Sequence, residues 1–238
     1  MSVRNCCFFF VCLIVFGWNA SADLVFYQTK NSINESFPEG TGGQYSLRTG
    51  LGSAEVSMYV TNSNDGEVSV EILFRQRNNM KTISMWQQFR LVRQMGNKMK
   101  LEDGYLLVNE KYGPEKIPKG KLKGEGPFSM KDFQMLTPEE LAARKTEKRT
   151  LQFEFGPLET TYTRMEKQGV VIEYWLSDKI KPFGIAKLKS SGPKARDNYE
   201  MNFKTLIKGV DPIIQPTKAK PLSKEGRKVL GLEPLTGD

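Results

Sequence analysis

The tripeptide Asn64-Asp65-Gly66 is flanked on both sides by two-residue alternation. Before it, Ala54, Val56, Met58 and Val60 alternate with Glu55, Ser57, Tyr59 and Thr61. After it, Val68, Val70, Ile72 and Phe74 alternate with Ser69, Glu71, Leu73 and Arg75. Successive side chains of a strand point to opposite faces, so this period predicts half-buried strands and not a helix. Asp-Gly between two such runs is a hairpin signal. An isolated hairpin is marginal in water, so the rest of the chain must supply further strands.

It does. Ile83 to Val92 reads as a third strand. Gly96-Asn97 turns the chain into Lys98 to Leu101, and Asp103-Gly104 turns it again into Tyr105 to Asn109. Leu151 to Phe155, Glu159 to Arg164 and Val170 to Ser177 follow, the last two joined at Gln168-Gly169. Lys181-Pro182 interrupts the ladder, because proline has no amide donor. Ile185 to Ser190 resumes it, and Tyr199, Met201, Phe203, Thr205 and Ile207 close the series. Strands joined by short turns predict a mainly β protein: a curved antiparallel sheet or half-barrel.

Two segments break the pattern. Lys111 to Pro127 has no apolar period and is rich in glycine and proline, so a loop is expected. Thr137-Pro138-Glu139-Glu140 is a capping box with proline at the first helical position, predicting a surface or covering helix over 137–149. The tail from Val210 carries Pro212, Pro216, Pro221 and Pro234. Ser223 is placed to cap one short helix ending at Leu230, with the remainder expected to be loose or extended on the surface. Gly40-Thr41-Gly42-Gly43 reads as a flexible stretch.

The first 22 residues have the form of a cleaved Sec signal peptide. Arg4 supplies a positive n-region, Cys6 to Trp18 an apolar core, and Ala20-Ser21-Ala22 a small-x-small cleavage site. The expected organisation is a signal peptide (1–22), one β-rich domain (23–209) with a helical insertion (137–149), and a Pro/Lys-rich tail (210–238). All three cysteines lie in the first segment, so the mature domain can form no disulfide. It keeps 34 basic and 27 acidic residues. For an exported basic protein, an anionic envelope surface is a better-matched partner than nucleic acid.

The order of elements resembles the periplasmic lipoprotein carriers of the LolA/LolB type. The residues that carry the likeness are Tyr174-Trp175-Leu176-Ser177-Asp178, Pro182, Phe183-Gly184-Ile185 and the closing strand Tyr199 to Ile207. The likeness runs from about Glu55 to Lys208. It implies a half-barrel whose concave apolar face, covered by helices, holds acyl chains. The chain differs in having one clear helix where the carriers have several. The carriers' buried functional arginine has no clear counterpart among Arg75, Arg77, Arg90 and Arg93.

Nine methionines remain after cleavage, and methionine adapts to irregular apolar partners. Together with the strand faces this nominates Met58, Phe74, Met85, Phe89, Tyr174, Trp175, Met201 and Phe203 as lining for an apolar ligand. The chain has no histidine, which removes Ser-His-Asp and Cys-His chemistry and imidazole zinc sites. The Ser-x-x-Lys string at Ser191 lies on a Gly-Pro loop, and Glu173 has no evident second carboxylate for glycoside chemistry. The expectation is a non-enzymatic protein of the periplasm or extracellular space, with no cofactor or metal. It would hold a lipid, a lipoprotein acyl chain or another apolar ligand, with lysine and arginine at the rim. The alternative is a scaffold that docks a partner through its basic surface or tail.

Overall fold

The computed structural model describes residues 25–27, 33–49, 52–77, 82–94, 99–108, 111–122, 134–136, 141–167, 169–193, 197–230 and 232. The signal peptide and the Thr137 capping box lie outside them. No helix among the described residues is long and apolar enough to cross a membrane.

Twelve strands form one open sheet. In chain order they are β2 (Gly42–Thr49), β3 (Gly52–Ser63), β4 (Glu67–Arg77), β5 (Thr82–Arg93), β6 (Met99–Leu107), β7 (Glu115–Lys116), β9 (Thr146–Phe153), β10 (Gly156–Lys167), β11 (Val170–Leu176), β12 (Ile185–Ser191), β13 (Tyr199–Ile207) and β14 (Lys220–Pro221). Two further strands, β1 (Val25–Tyr27) and β8 (Gln134–Leu136), pair with each other alone, in parallel. Across the large sheet the order is β14-β7-β6-β5-β4-β3-β2-β13-β12-β11-β10-β9. All neighbours are antiparallel except β14 and β7 at one edge. The expected mainly β, open antiparallel architecture is the one formed.

The sheet consists of two runs of neighbouring strands, β2 to β7 and β9 to β13. They join at one long-range seam, where Gly42 to Thr49 pairs with Tyr199 to Ile207. The two chemistries read from the alternation separate onto the two faces. Val56, Met58, Val60, Val68, Val70, Ile72, Phe89 and Leu91 share the inner face and belong to the main apolar core. Phe37 follows the short helix α1 (Ile33–Ser36) and reaches Phe183, with ring centroids 6.3 Å apart.

Four expectations need correction. The helix over 137–149 does not extend that far: residues 141–142 are helical, and Thr146 already begins β9. The run from Thr146 to Thr150 is exposed on both faces and therefore lacks the alternation that marks a half-buried strand. Asp103-Gly104 is not a turn but lies inside β6, beside a register shift opposite Arg90 and Leu91. Gly104 is needed there for close approach, since a Cβ would collide with Leu122. The loop expected from Lys111 contains the short strand β7 and a turn of 3₁₀ helix at Lys119–Lys121. Gly42 and Gly43, read as flexible, form the buried start of β2. A Cβ on Gly42 would overlap the Met58 carbonyl.

The tail from Val210 to Leu230 packs against the sheet. Ile214 is buried on the outer face with Trp86, Tyr105 and Leu107. The chain then crosses the β7 edge as β14. It ends as helix α2 (Lys224–Val229); Val229 and the flanking Leu222 and Leu230 pack with Met85, Leu106, Ile117 and Leu122. The Ser223 hydroxyl caps this helix, accepting from the Gly226 amide at 3.0 Å, as its sequence position predicts.

Candidate functional site

Two strand ends project past their neighbours on one side of the molecule. β11 last pairs with β10 at Leu176 and Thr161, so the β9–β10 turn and residues up to Thr160 lie beyond β11. β12 last pairs with β13 at Lys187 and Asn202, so Phe203 to Ile207 extend beyond β12 and keep only β2 as partner. Between the two projections runs the connection from Ser177 to Gly184, which includes the cis Lys181–Pro182 bond. It is tied down by the Ser177 amide donating to the Gly184 carbonyl (2.8 Å) and the Gly184 amide donating to the Ile180 carbonyl (2.6 Å).

These three pieces enclose a groove of about 470 Å³. Its lining comprises Phe155, Pro157 and Leu158 from the hairpin, Lys179 and Ile180 from the connection, and Phe203 to Leu206 from β13. That volume lies within the usual range for small-molecule sites. The groove is built by aromatic packing. Phe153 and Phe155 stack at 5.0 Å, and both meet Phe203 edge-on, at 6.3 and 6.0 Å. Phe203 in turn lies edge-on to Tyr45 at 5.7 Å. Gly156, at φ +112°, lets the hairpin turn tightly enough to swing Phe155 over. A register shift between Phe203 and Thr205 redirects the end of β13 beside it.

The apolar wall is unusually open to water. Phe155 is 57 % exposed and Leu206 42 % exposed, and these are two of the four large apolar side chains so exposed among the described residues. Lys179 and Lys204, both exposed, are the only charged residues of the lining. The site therefore combines an apolar trough with two cations.

Of the eight side chains nominated from sequence, only Phe203 lines this groove. Met58, Phe89, Tyr174, Met201 and Phe203 are buried on the inner face of the sheet as parts of the main core. Met85 belongs to the cluster under α2, and Phe74 is half-buried where the two clusters meet. Trp175 is buried on the outer face. Its ring lies 5.0 Å from that of Tyr162, with the Lys187 ammonium 5.3 Å from its centre. The nominated residues thus pack as core rather than around one opening. Sequence alternation does not mark Phe155, Ile180 and Leu206, because groove membership depends on which strand ends project.

A second polar constellation lies on the outer face. The Glu71 carboxylate accepts from the Tyr59 hydroxyl, from Gln88 Nε2 (3.3 Å) and from the amides of Ile213 (3.2 Å) and Ile214 (3.0 Å). Burial pushes the Glu71 carboxyl up, against these hydrogen bonds, which pull it down. Burial and the carboxylate partner push Tyr59 up as well. Arg90 bonds Asp103 through two nitrogens (3.0 and 2.6 Å) and Glu67 through a third (3.0 Å). It is thus committed to a structural network. Burial works to raise Asp103, but hydrogen bonds and charge from Arg90 and Lys116 outweigh it and hold the carboxyl below its ordinary value. Among the described residues, no three His, Cys, Asp or Glu side chains converge as metal ligands.

No family model and no curated protein matches the chain. Solved structures do resemble it. MucB in complex with MucA(peri) gives a TM-score of 0.38 at 11% identity, over 76% of this chain and 55% of that one. The Pseudomonas aeruginosa MucA/MucB complex gives 0.39 at 13% identity, over 79% and 58%. A DUF1329 family protein from Desulfovibrio piger gives 0.40 at 8% identity, over 79% and 94%. The chain spans a little over half the length of the matched MucB chains. Likeness at this level carries no functional information.

Proposed function

We propose that this chain is an exported, non-enzymatic binding protein of the periplasm or extracellular space. It would receive the apolar arm of an anionic amphiphile, a lipid or the acyl chain of a lipidated protein. One observation carries the reading: the groove between the β9–β10 hairpin and β13 exposes Phe155 and Leu206 to water and has only lysines as its charged lining. Exposed large apolar groups that share one concavity mark a surface to be covered. Covering them removes apolar area from water at about 25 cal/mol per Å². Lys179 and Lys204 then meet a negative head group at the rim, with moderate and salt-dependent gain. The inner face is well filled by its own core, so the ligand site is this lateral groove and not the whole concave surface of the sheet. The alternative reading, a scaffold that docks a protein, draws its support from the basic edge of β9, whose outer side no described strand pairs.

The test is titration of the mature chain with lysophosphatidylglycerol below its micelle concentration, followed by native mass spectrometry and calorimetry. One-to-one binding is expected. Leu206→Glu and Phe155→Glu, both at exposed positions, should each weaken it at least tenfold without changing the melting temperature. A wild-type chain that binds no single-chain amphiphile, or variants that bind as well as wild type, would refute the reading.

A further inference from the structure

The two edges of the large sheet are treated differently. At one edge, β7 and β14 are two residues long, β14 includes Pro221, and α2 packs beside them. Short strands and proline are the usual protection of a sheet edge. At the other edge β9 runs for eight residues, and no described strand pairs with its free side.

The hairpin geometry identifies the open groups. Glu154-Phe155 is a two-residue loop closed by the Phe153–Gly156 pair. Hydrogen-bonded and non-bonded pairs alternate along an antiparallel ladder. With Phe153–Gly156 bonded, Leu151, Arg149 and Glu147 face β10, and the Arg149 carbonyl does accept from Thr160 Oγ1 at 2.7 Å. Thr146, Lys148, Thr150 and Gln152 therefore turn their N–H and C=O groups toward the unpaired side.

Charge selects what can add there. Lys145, Lys148, Arg149 and Arg164 lie on or beside the strand, against Glu147 and Glu166. Five of these six, all but Lys148, line a polar hollow of about 380 Å³ with Tyr162, on the outer face next to the edge. The Arg149 guanidinium lies 3.5 Å from the centre of the Tyr162 ring and pairs with Glu147 at 2.7 Å. A second copy of the chain would bring the same net positive edge against itself.

We propose that β9 is a strand-addition site for an extended, acidic segment of a partner protein. The segment's backbone would bond Thr146, Lys148, Thr150 and Gln152. Its carboxylates would meet Lys148 on one face, and Lys145, Arg149 and Arg164 around the hollow on the other. In strand addition the main chain supplies affinity and alternate side chains supply selectivity.

The experiment uses the full mature chain and a fluorescent eight-residue peptide, Val-Val-Glu-Glu-Val-Val-Glu-Glu, whose glutamates fall on both faces of an added strand, with the lysine-for-glutamate peptide as control. The acidic peptide is expected to bind and the lysine peptide not to. Thr150→Pro removes an outward amide while leaving the β10 ladder intact, so it should weaken binding at least tenfold with an unchanged circular dichroism spectrum. Should that variant fail to fold, acidic peptide N-methylated at alternate residues is tested on the wild-type chain, and its binding should be lost. Lys148→Glu, which leaves three basic against three acidic side chains at the edge, should abolish the preference between the two peptides. The proposal is overturned by equal binding of both peptides to the wild-type chain, by no binding of the acidic one, or by tight binding despite the blocked amides. A wild-type dimer in sedimentation that Thr150→Pro dissolves would assign the edge to a second copy instead. Lysophosphatidylglycerol binding by Thr150→Pro should remain normal, which separates this site from the groove.

Discussion

The two ends of this sheet handle apolar surface in opposite ways. Where the tail returns, Trp86, Tyr105 and Leu107 would face water on the outer side of the sheet. Ile214 covers them, and Glu71 fixes the backbone that brings it there. Where the β9–β10 hairpin meets β13, apolar material stays partly uncovered, with Phe155 57 % and Leu206 42 % exposed. The covered end shows what the chain does with apolar area that serves only stability. The uncovered end is therefore informative, because the same sequence had a means of covering it and did not use it.

The sharpest way to break this contrast is at Glu71. Glu71→Ala leaves the Tyr59 hydroxyl, Gln88 and two backbone amides without their shared acceptor. Each buried donor left unpaired costs about 1–3 kcal/mol, so a loss of about 3 kcal/mol or more is expected in urea unfolding. Trp86 fluorescence should shift to the red as Ile214 detaches. A loss below about 1 kcal/mol would mean the tail is not anchored there.

A smaller effect is expected at Ser223→Ala, which removes the α2 cap and should cost about 1 kcal/mol. Hydrogen exchange should quicken over residues 224–230 and remain unchanged at the groove. The same covered end gives two opposed pH signatures. Asp103 titrates below its ordinary value in the folded chain, so its stabilisation is complete above about 3.8 and is lost as pH falls through the folded value. Glu71 titrates above its ordinary 4.5, so its contribution is complete below 4.5 and declines as pH rises through the folded value. Asp103→Asn should therefore flatten the stability profile on its acid side, and Glu71→Gln should flatten it above 4.5. Profiles that superpose on wild type would reject both assignments. The smallest effect belongs to the uncovered end. Phe155→Ala should change stability by no more than about 0.5 kcal/mol, since the ring is mostly in water. A loss of 2 kcal/mol would show that the hairpin packing is structural.

Local chemistry was readable in advance. Asn64 Oδ1 accepts from the amides of Gly66 (2.9 Å) and Glu67 (3.0 Å), the turn implied by the Asn-Asp-Gly string. Ser223 caps its helix for the same reason: the signal and its partner lie within three residues. β2 was hidden, because its first two residues are glycines whose use is to lie close to β3. β9 was hidden because an edge strand exposed on both faces carries charges where a half-buried strand would alternate. The groove was beyond reach for a different reason. Phe155, Ile180 and Leu206 meet only because β10 and β13 overrun their neighbours, and register at a sheet's rim leaves no periodic trace.

The seam between β2 and β13 sets a timetable. β2 pairs with β3 almost as soon as both emerge, yet its second partner is made some 150 residues later. Until then the meander β2 to β7 carries a raw central edge and a half-built inner face. Such late, long-range closure makes a chain slow to mature and prone to association while incomplete. A chain that emerges amino-terminus first would pass through that state on every synthesis, with the seam strand open for as long as the second meander is still on its way.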